Sequence, residues 1–529
     1  MQFRIKSFFA AVLITCLAAC GGSNSGGADD NILRRGTASE PASLDPQIAN
    51  GQSASAIIND LFVGLMASDA KGKTVGGIAE SYAVSEDGKS YTFKLRPDLK
   101  WSDGEPLTSS DIVWSFQRLM SPETGARYAS NLYVLKNGRL VNTGKVPVES
   151  LGVAAPDPQT VVFELERRVP YFPRILLSNA TAPLPQHVVS KYGRDWTKPG
   201  NIVSNGAFVL KEWVPNTRIL MTKNDLFFDA ENVKLAGVEY FPTDNTGTLV
   251  KRYRAGELDI VLNFPPEQLE LLKRSFGEEV HSTTNYGLNY YLFNNKKPPF
   301  DDVRVRKALS IAVDRKGIVD KILSGEAEPA WTMVPSDISD YKRIVSPDAS
   351  RSQADREKEA KALLAEAGFN ATNPLQLDIR YDTKEESRQI AIAIASMWKD
   401  IGVEAELSAS DFRGITSDSR SGNFDVIRYQ WFAPYDDPST FLSLLSGRSA
   451  TNLSGYNSPA YDALVASADD IVDVEKRMEQ LARAEQAAMK EYPVLPIYFS
   501  TARRLVSSKV VGWSDFPGGN VQSRFLSLK

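Results

Sequence analysis

Short alternating segments and amphipathic helices follow one another along the chain from residue 31 onward. Residues 91–95 (YTFKL) alternate aromatic and polar side chains, which predicts a half-buried strand. Thr108 and Asp111 have the spacing of a capping box, and the helix that follows places Ile112 and Phe116 on one face. No internal repeat interrupts this alternation of strands and helices, which predicts a mixed α/β fold.

Four more helices are predicted in the C-terminal half of the chain. Gly368 and Gly402 follow two of them and suit the left-handed position after a helix end, and Pro493 stops the last one. The four helices are predicted over residues 302–315, 360–367, 385–401 and 475–491.

The N-terminus has the pattern of an export signal. Arg4 and Lys6 precede an apolar run at 8–17 that is too short to span a bilayer, and the run ends in Leu-Ala-Ala before Cys20. This resembles a bacterial lipobox and predicts a lipoprotein signal peptide over 1–19, a lipid on Cys20 and a flexible tether over 20–30. An ordinary signal peptide is the alternative.

Composition excludes several classes of function. The 529 residues contain 61 Lys+Arg against 65 Asp+Glu, a net charge of −4, so nucleic acid is not expected as a partner. Two cysteines and two histidines leave little room for zinc or thiol chemistry. The chain has no HExxH, paired CxxC or GxSxG motif. We therefore expect no enzyme activity, no metal and no cofactor.

Arg428 lies in the strand-like run 424–432 (FDVIRYQWF), between apolar and aromatic residues. A guanidinium in such surroundings is costly to desolvate unless an anion meets it. The anion is either a ligand carboxylate or an Asp or Glu of the protein, and the sequence leaves both open.

Five segments resemble the periplasmic oligopeptide-binding lipoproteins that feed ATP-driven importers, the OppA-like family 5 extracellular solute-binding proteins. The segment at 79–119 is the most similar, and the resemblance extends over 32–529. The other four segments are 38–47, 201–213, 252–260 and 294–309.

The resemblance implies an α/β, periplasmic-binding-protein-like fold with two lobes, a two-strand hinge and an extra inserted domain. It divides the chain into a discontinuous lobe I (31–52, 187–286 and 502–529), an inserted domain (53–186) and lobe II (287–501).

The resemblance also implies a function. Such a protein captures an oligopeptide or peptide-like solute between its lobes, pairs with the peptide backbone, and leaves the ligand side chains in hydrated pockets. It delivers the solute to the membrane permease of an ABC importer. We therefore expect a monomer in the periplasm that is held at a membrane through Cys20.

The resemblance implies ten candidate ligand-binding residues, of which Asp436 is included as a possible replacement for an aspartate that the family has at Pro434. Two segments, 40–43 and 430–432, match those that pair with the ligand backbone, and Arg428 matches an arginine that meets a peptide carboxylate. The implied ligand-binding residues are Glu40, Ala42, Ser43, Tyr128, Phe412, Arg428, Gln430, Trp431, Phe432 and Asp436.

Three positions depart from the family pattern. Pro434 stands where relatives place the aspartate that binds the ligand ammonium, so either Asp436, Asp437 or Glu40 replaces it or the ligand has no free amine there. Pro41 has no N–H for pairing.

The third departure concerns a disulfide known in some relatives, whose two positions are occupied here by Gly287 and Phe432. Two other kinds of ligand stay open, a non-peptide ligand and an N-blocked ligand. Two other functions also stay open, an exported hydrolase on the same fold and a chaperone-like surface lipoprotein.

Overall fold

The computed structural model describes residues 31–126, 128–518 and 521–529, without the side chain of Phe412. The predicted signal peptide, lipidated Cys20 and tether lie outside the described residues.

The helices and strands alternate along the described chain as the sequence pattern predicts. The strands are β1 Ile32–Thr37, β2 Met66–Ser68, β3 Thr74–Gly76, β4 Ala79–Val84, β5 Ser90–Leu95, β6 Val153–Asp157, β7 Thr160–Glu164, β8 Phe208–Val214, β9 Arg218–Lys223, β10 Gly237–Pro242, β11 Ile260–Leu262, β12 Val280–Phe293, β13 Ala327–Pro329, β14 Leu375–Asp382, β15 Val403–Ser410, β16 Val426–Phe432, β17 Val494–Val506, β18 Val510–Val511 and β19 Ser527–Leu528. The helices are α1 Gln52–Leu61, α2 Ser109–Met120, α3 Gly138–Asn142, α4 Phe172–Ile175, α5 Gln186–Tyr192, α6 Thr246–Arg254, α7 Leu269–Phe276, α8 Val303–Ile311, α9 Arg315–Lys321, α10 Gln353–Glu366, α11 Glu385–Asp400, α12 Phe412–Ser421, α13 Ser439–Leu442, α14 Pro459–Asp469 and α15 Val474–Met489.

One large mixed sheet runs through both lobes. Its strand order in the described residues is β15-β14-β16-β12-β17-β11-β1-β10-β9-β8, with β13 added beside β17. The two long central strands, β12 and β17, are antiparallel, and each belongs to both lobes. The two lobes are therefore joined through a pair of strands, as the predicted fold requires.

The ladder between β12 and β17 is interrupted where it passes from one lobe to the other. Its register shifts between Thr284 and Gly287, so Asn285 and Tyr286 have no Cα partner on β17. Tyr286 also has a positive φ of 54°, which is unusual for a residue with a large side chain. The predicted lobe boundaries at 286/287 and 501/502 lie beside this interruption and stay predictions.

The inserted domain carries its own antiparallel sheet, in the order β4-β5-β7-β6. The rings of Phe93 and Phe163 pack edge to face on this sheet at 5.7 Å between centroids. The same continuous core contains Leu33 and Tyr240 of the large sheet. The inserted domain is thus fused to lobe I through a shared hydrophobic core.

The structure confirms most of the predicted helix positions. In α2 the Asp111 Oδ2 accepts from the Thr108 N–H at 2.8 Å, and Ile112 and Phe116 are buried. The helix predicted over 302–315 is wrong in length, because α8 ends at Ile311. The Asp314 carboxylate caps a second helix, α9, by accepting from the Gly317 N–H at 2.9 Å.

Glu485 on α15 is a fully buried carboxyl group in lobe II. Its Oε1 accepts from the N–H groups of Met333 and Val334 at 2.7 and 2.9 Å, and the Tyr341 hydroxyl donates to its Oε2. Burial is the main cause that raises its pKa to about 7, so the folded state holds a proton that the unfolded state loses near the ordinary value of 4.5.

The free energy of unfolding is therefore expected to fall as the pH rises from about 4.5 to about 7, by roughly 3 kcal/mol from this group. Glu485→Gln, which cannot ionise, should remove most of this contribution. Urea unfolding of both proteins across this pH range measures it. If the free energy of unfolding fell equally with pH in both proteins, Glu485 would not be the source of the pH dependence.

Candidate functional site

Strand β16 has an unpaired edge next to the hinge. Strand β12 pairs with it along its whole length, from Gly287↔Phe432 to Phe293↔Val426. On the other side, β14 pairs with it only at Val426 and Ile427. Beyond Ile427 that side of β16 has no partner strand among the described residues. The N–H and C=O groups on this edge, within 428–432, are placed to pair with an extended ligand.

The second predicted backbone-pairing segment follows β1. The ladder of β1 with β10 ends at Thr37, and 38–43 form no ladder in the described structure. The Glu40 carboxylate accepts from Trp213 Nε1 at 2.7 Å and from the Asn216 N–H at 3.1 Å. Glu40 is thus engaged within lobe I.

The neighbours of Glu40 are more accessible. Ala42 is exposed, and Ser43 is half-buried, with its Oγ accepting from the Asp45 N–H at 3.0 Å. Pro41 is buried. The segment therefore offers its main chain at Ala42 and Ser43, while Pro41 turns inward.

Arg428 is a buried arginine with partners inside the protein. Its guanidinium donates to Asp382 Oδ2 at 2.7 Å and to Asn289 Oδ1 at 3.0 Å. Burial lowers the pKa of Arg428. The electrostatic influence of Tyr498 and Asp382 raises it by more, so the pKa lies above the ordinary value for arginine. The internal salt bridge left open by the sequence is present, and a ligand carboxylate at Arg428 would share the guanidinium with Asp382.

The other predicted residues of β16 lie beside Arg428. Gln430 and Trp431 are half-buried, and Trp431 Nε1 donates to Thr440 Oγ1 at 3.3 Å. Phe432 is 50% exposed and pairs across the ladder with Gly287, so the two positions of the relatives' disulfide are direct neighbours. The side chain of Phe412, at the start of α12, lies outside the described residues.

A cavity of about 540 Å³ lies against the hinge strands. Its wall includes Tyr128 and Phe432 among the predicted site residues. Tyr128 is 38% exposed, and its hydroxyl donates to Asn50 Oδ1 at 3.4 Å. The structure therefore brings Tyr128 and Phe432 to one cavity, and it places Arg428, Gln430 and Trp431 on the strand that ends at it.

The two aspartates that follow Pro434 are both engaged elsewhere. Asp436 Oδ1 accepts from the Ser339 N–H at 2.9 Å. Asp437 is buried and accepts two hydrogen bonds from Arg477, at 2.7 and 2.9 Å. Arg477 neutralises Asp437, which therefore cannot replace the aspartate that the family has at Pro434, whereas Asp436 has no cationic partner among the described residues.

Sequence reasoning missed a contact between the inserted domain and lobe II. Arg174 donates to the Asp436 carbonyl and, at 3.0 Å, to Asp340 Oδ2. The rings of Tyr171 and Tyr435 stack with their centroids 5.4 Å apart. The partners are more than 150 residues apart in sequence, so no local pattern could have revealed them. This interlobe contact begins three residues after the end of β16.

The described residues contain no group of three His, Cys, Asp or Glu side chains arranged to hold a metal ion. Within the same part of the chain, no helix combines the length and the apolar character needed to cross a membrane.

A sheet shared by two lobes through two strands, with an open strand edge beside the crossing, defines the periplasmic-binding-protein class of fold. Residues 73–452 match the family described as "Bacterial extracellular solute-binding proteins, family 5 Middle". The chain belongs to this family.

Curated relatives match over nearly the whole chain. The periplasmic oligopeptide-binding protein OppA of Salmonella typhimurium is 39% identical over 524 residues, which cover 96% of each chain. The periplasmic murein peptide-binding protein MppA of Escherichia coli is 37% identical over 489 residues, 92% of this chain and 91% of its own.

Solved structures match equally widely. The unliganded open form of MppA superposes with a TM-score of 0.84 at 36% identity, over 95% of this chain and 98% of its own. OppA of Burkholderia pseudomallei superposes with a TM-score of 0.78 at 34% identity, over 95% of this chain and all of its own.

Proposed function

We propose that this protein captures oligopeptides or peptide-like solutes between its lobes and delivers them to the membrane permease of an ABC importer. The observation that carries the proposal is the unpaired edge of β16 beyond Ile427, which ends at a cavity beside the hinge. Backbone pairing at such an edge supplies affinity that does not depend on ligand sequence. OppA of Haemophilus influenzae, a relative with a TM-score of 0.76, has been solved in complex with the peptide RPPGFSPFR.

The protein acts as a monomer in the periplasm, attached to a membrane by a lipid on Cys20, and it releases its ligand unchanged. The signal and lipobox pattern of the first 20 residues supports export and anchoring. The names of the relatives, all binding proteins, support a non-catalytic role.

A second candidate is a ligand without a free amine, either N-blocked or not a peptide. The observation in its favour is that Asp436, Asp437 and Glu40 each have partners within the protein. Only Asp437 is neutralised by a cation, Arg477, so a ligand ammonium that depended on Asp437 would lack a counter-ion, which costs several kcal/mol.

Isothermal titration calorimetry with free and N-acetylated peptides of two to five residues tests both candidates. The main proposal expects micromolar or tighter binding of at least one series, and mass spectrometry should recover the peptides intact. Preference for acetylated peptides would establish the second candidate. Absence of binding in both series would refute peptide capture, and cleavage products would show a hydrolase.

A further inference from the structure

The wall of the hinge cavity contains five amide side chains with no hydrogen-bond partner among the described residues. Gln52, Asn59, Asn263, Asn285 and Gln522 all line it, and no side-chain hydrogen bond joins any of the five to another described residue. They come from α1, from the end of β11, from the interrupted hinge ladder and from the C-terminal segment. Four separate parts of the chain thus bring amides to one space, where Gln52 and Asn263 are exposed and the other three are partly buried.

Two of these amides are unsatisfied although their oxygens are buried. Asn285 Oδ1 and Gln522 Oε1 are shielded from solvent, and no described residue donates a hydrogen bond to them. Buried amide oxygens are normally paired, so each such exception calls for an explanation. Asn50 and Asn179, on the same wall, show ordinary pairing with Tyr128 and with the Ser55 carbonyl. A ligand that donates hydrogen bonds would satisfy the two buried oxygens.

The charges of the wall disfavour a cationic ligand group. Asp69 is its one acidic residue in the described structure, and its Oδ1 already accepts from the N–H groups of Lys71 and Lys73 at 2.8 and 2.9 Å. Arg503 and Arg504 also line the cavity, so the formal charge of the wall is two positive against one negative, or +1.

The two arginines differ in how the protein holds them. Arg504 donates to Thr283 Oγ1 at 3.0 Å and lies over the Trp513 ring. Arg503 is partly buried, and burial lowers its pKa although Glu326 and two further glutamates act in the opposite direction. The groups left over for a ligand are therefore the neutral amides and the buried Arg503 Nε, which has no hydrogen-bond partner among the described residues.

Aromatic faces complete the wall. Phe432 and Tyr128 are 50% and 38% exposed, and both line the cavity. A flat apolar face beside several amides suits a ring that has C–H groups on its faces and hydroxyls around its edge. The volume of about 540 Å³ lies within the usual range for small-molecule sites.

We propose that this cavity is the part of the ligand site that recognises an uncharged group rich in hydroxyls or amides, of about the size of a disaccharide, carried by the peptide-like ligand. The proposal rests on the proposed function, because the unpaired edge of β16 leads into the cavity at Phe432. Each amide side chain has one acceptor oxygen and two N–H donors, and each hydroxyl both donates and accepts a hydrogen bond. The wall amides and the ligand hydroxyls can therefore pair with one another.

The test compares the affinities of four tripeptides: Ala-Ser-Ala, the same peptide with N-acetylglucosamine on the serine, Ala-Gln-Ala and Ala-Lys-Ala. The expected result is that the sugar-bearing peptide binds at least about tenfold more tightly than Ala-Ser-Ala, and that Ala-Lys-Ala gains nothing. A gain for Ala-Gln-Ala alone would assign the site to amides, and a gain for the sugar-bearing peptide would assign it to sugars. Equal affinities for all four would overturn the proposal.

Variants of the cavity wall test whether the gain in affinity of the sugar-bearing peptide arises there. Asn285→Leu combined with Gln522→Met should abolish the gain, whereas Gln389→Met, which removes an exposed amide on α11, should keep it. Gln52→Met tests the same wall at an exposed position that does not threaten folding, and it should weaken the gain. A gain that survives in all wall variants would overturn the proposal.

Peptide capture and the role of the cavity can be refuted independently of each other. If di-N-acetylchitobiose binds and no tripeptide does, the cavity assignment stands and peptide capture falls. If every tripeptide binds equally well, peptide capture stands and the cavity assignment falls.

Discussion

Arg477→Met is expected to lower the free energy of unfolding by about 3–5 kcal/mol, the usual cost of breaking a buried ion pair. Arg477 and Asp437 form a two-point pair at 2.7 and 2.9 Å, with only 4% and 1% of their side chains exposed. The substitution preserves length and removes the charge, so Asp437 stays buried with the Ser439 N–H at 3.0 Å and, as its remaining cationic partner among the described residues, Arg174 at 3.9 Å. Chemical denaturation of both proteins measures the loss.

Two controls separate the missing charge from the altered packing. Arg388→Met breaks an exposed Arg–Glu pair on α11 that is just as short, 2.7 Å, and should change the free energy of unfolding far less than Arg477→Met does, because water screens the exposed pair. Arg477→Met combined with Asp437→Asn leaves no uncompensated charge and should recover much of the stability. A double variant as unstable as the single one would show that packing of Arg477 on Tyr171 dominates.

The second large effect is expected in ligand binding at Arg428. If a ligand carboxylate shares this guanidinium, Arg428→Ala should weaken binding of a peptide with a free C-terminus by about 2–5 kcal/mol. Asp382→Asn should strengthen binding of the same peptide, because it removes the anion that now accepts from Arg428 Nη1 at 2.7 Å. Calorimetry with the peptide acid measures both changes.

The C-terminally amidated peptide is the matched control. It lacks the carboxylate, so neither variant should change its affinity by more than a small factor. Equal losses for acid and amide would assign Arg428 a structural role, in which it holds β16 to β14 through Asp382. Thermal unfolding of both variants checks that the lobe stays folded.

The sequence predicted the elements wherever local chemistry decides them. The capping pair of Thr108 and Asp111 placed the start of α2, and Gly368 and Gly402, with φ of 95° and 85°, mark two helix ends as expected. The helix over 302–315 failed because Asp314 can either continue a helix or cap a new one, and only the packed structure decides between the two.

The site was predictable only where it lies on one stretch of chain. Residues 428–432 could be identified because they are consecutive, and the choice between two partners for Arg428 needed Asp382, which lies 46 residues away. The amides of the cavity extend from Gln52 to Gln522, so no sequence window contains them together. The shared core of lobe I and the inserted domain escaped prediction for the same reason.

Asn285 has two roles that bear on how the lobes move. It lies in the stretch where β12 loses its pairing with β17, and it also contributes to the wall of the cavity. The two crossing strands bend most easily where hydrogen bonds do not tie them together. If a ligand binds to Asn285 as we propose, we expect it to stiffen the pivot itself, so that occupancy of the cavity restricts the rotation of one half of the molecule against the other.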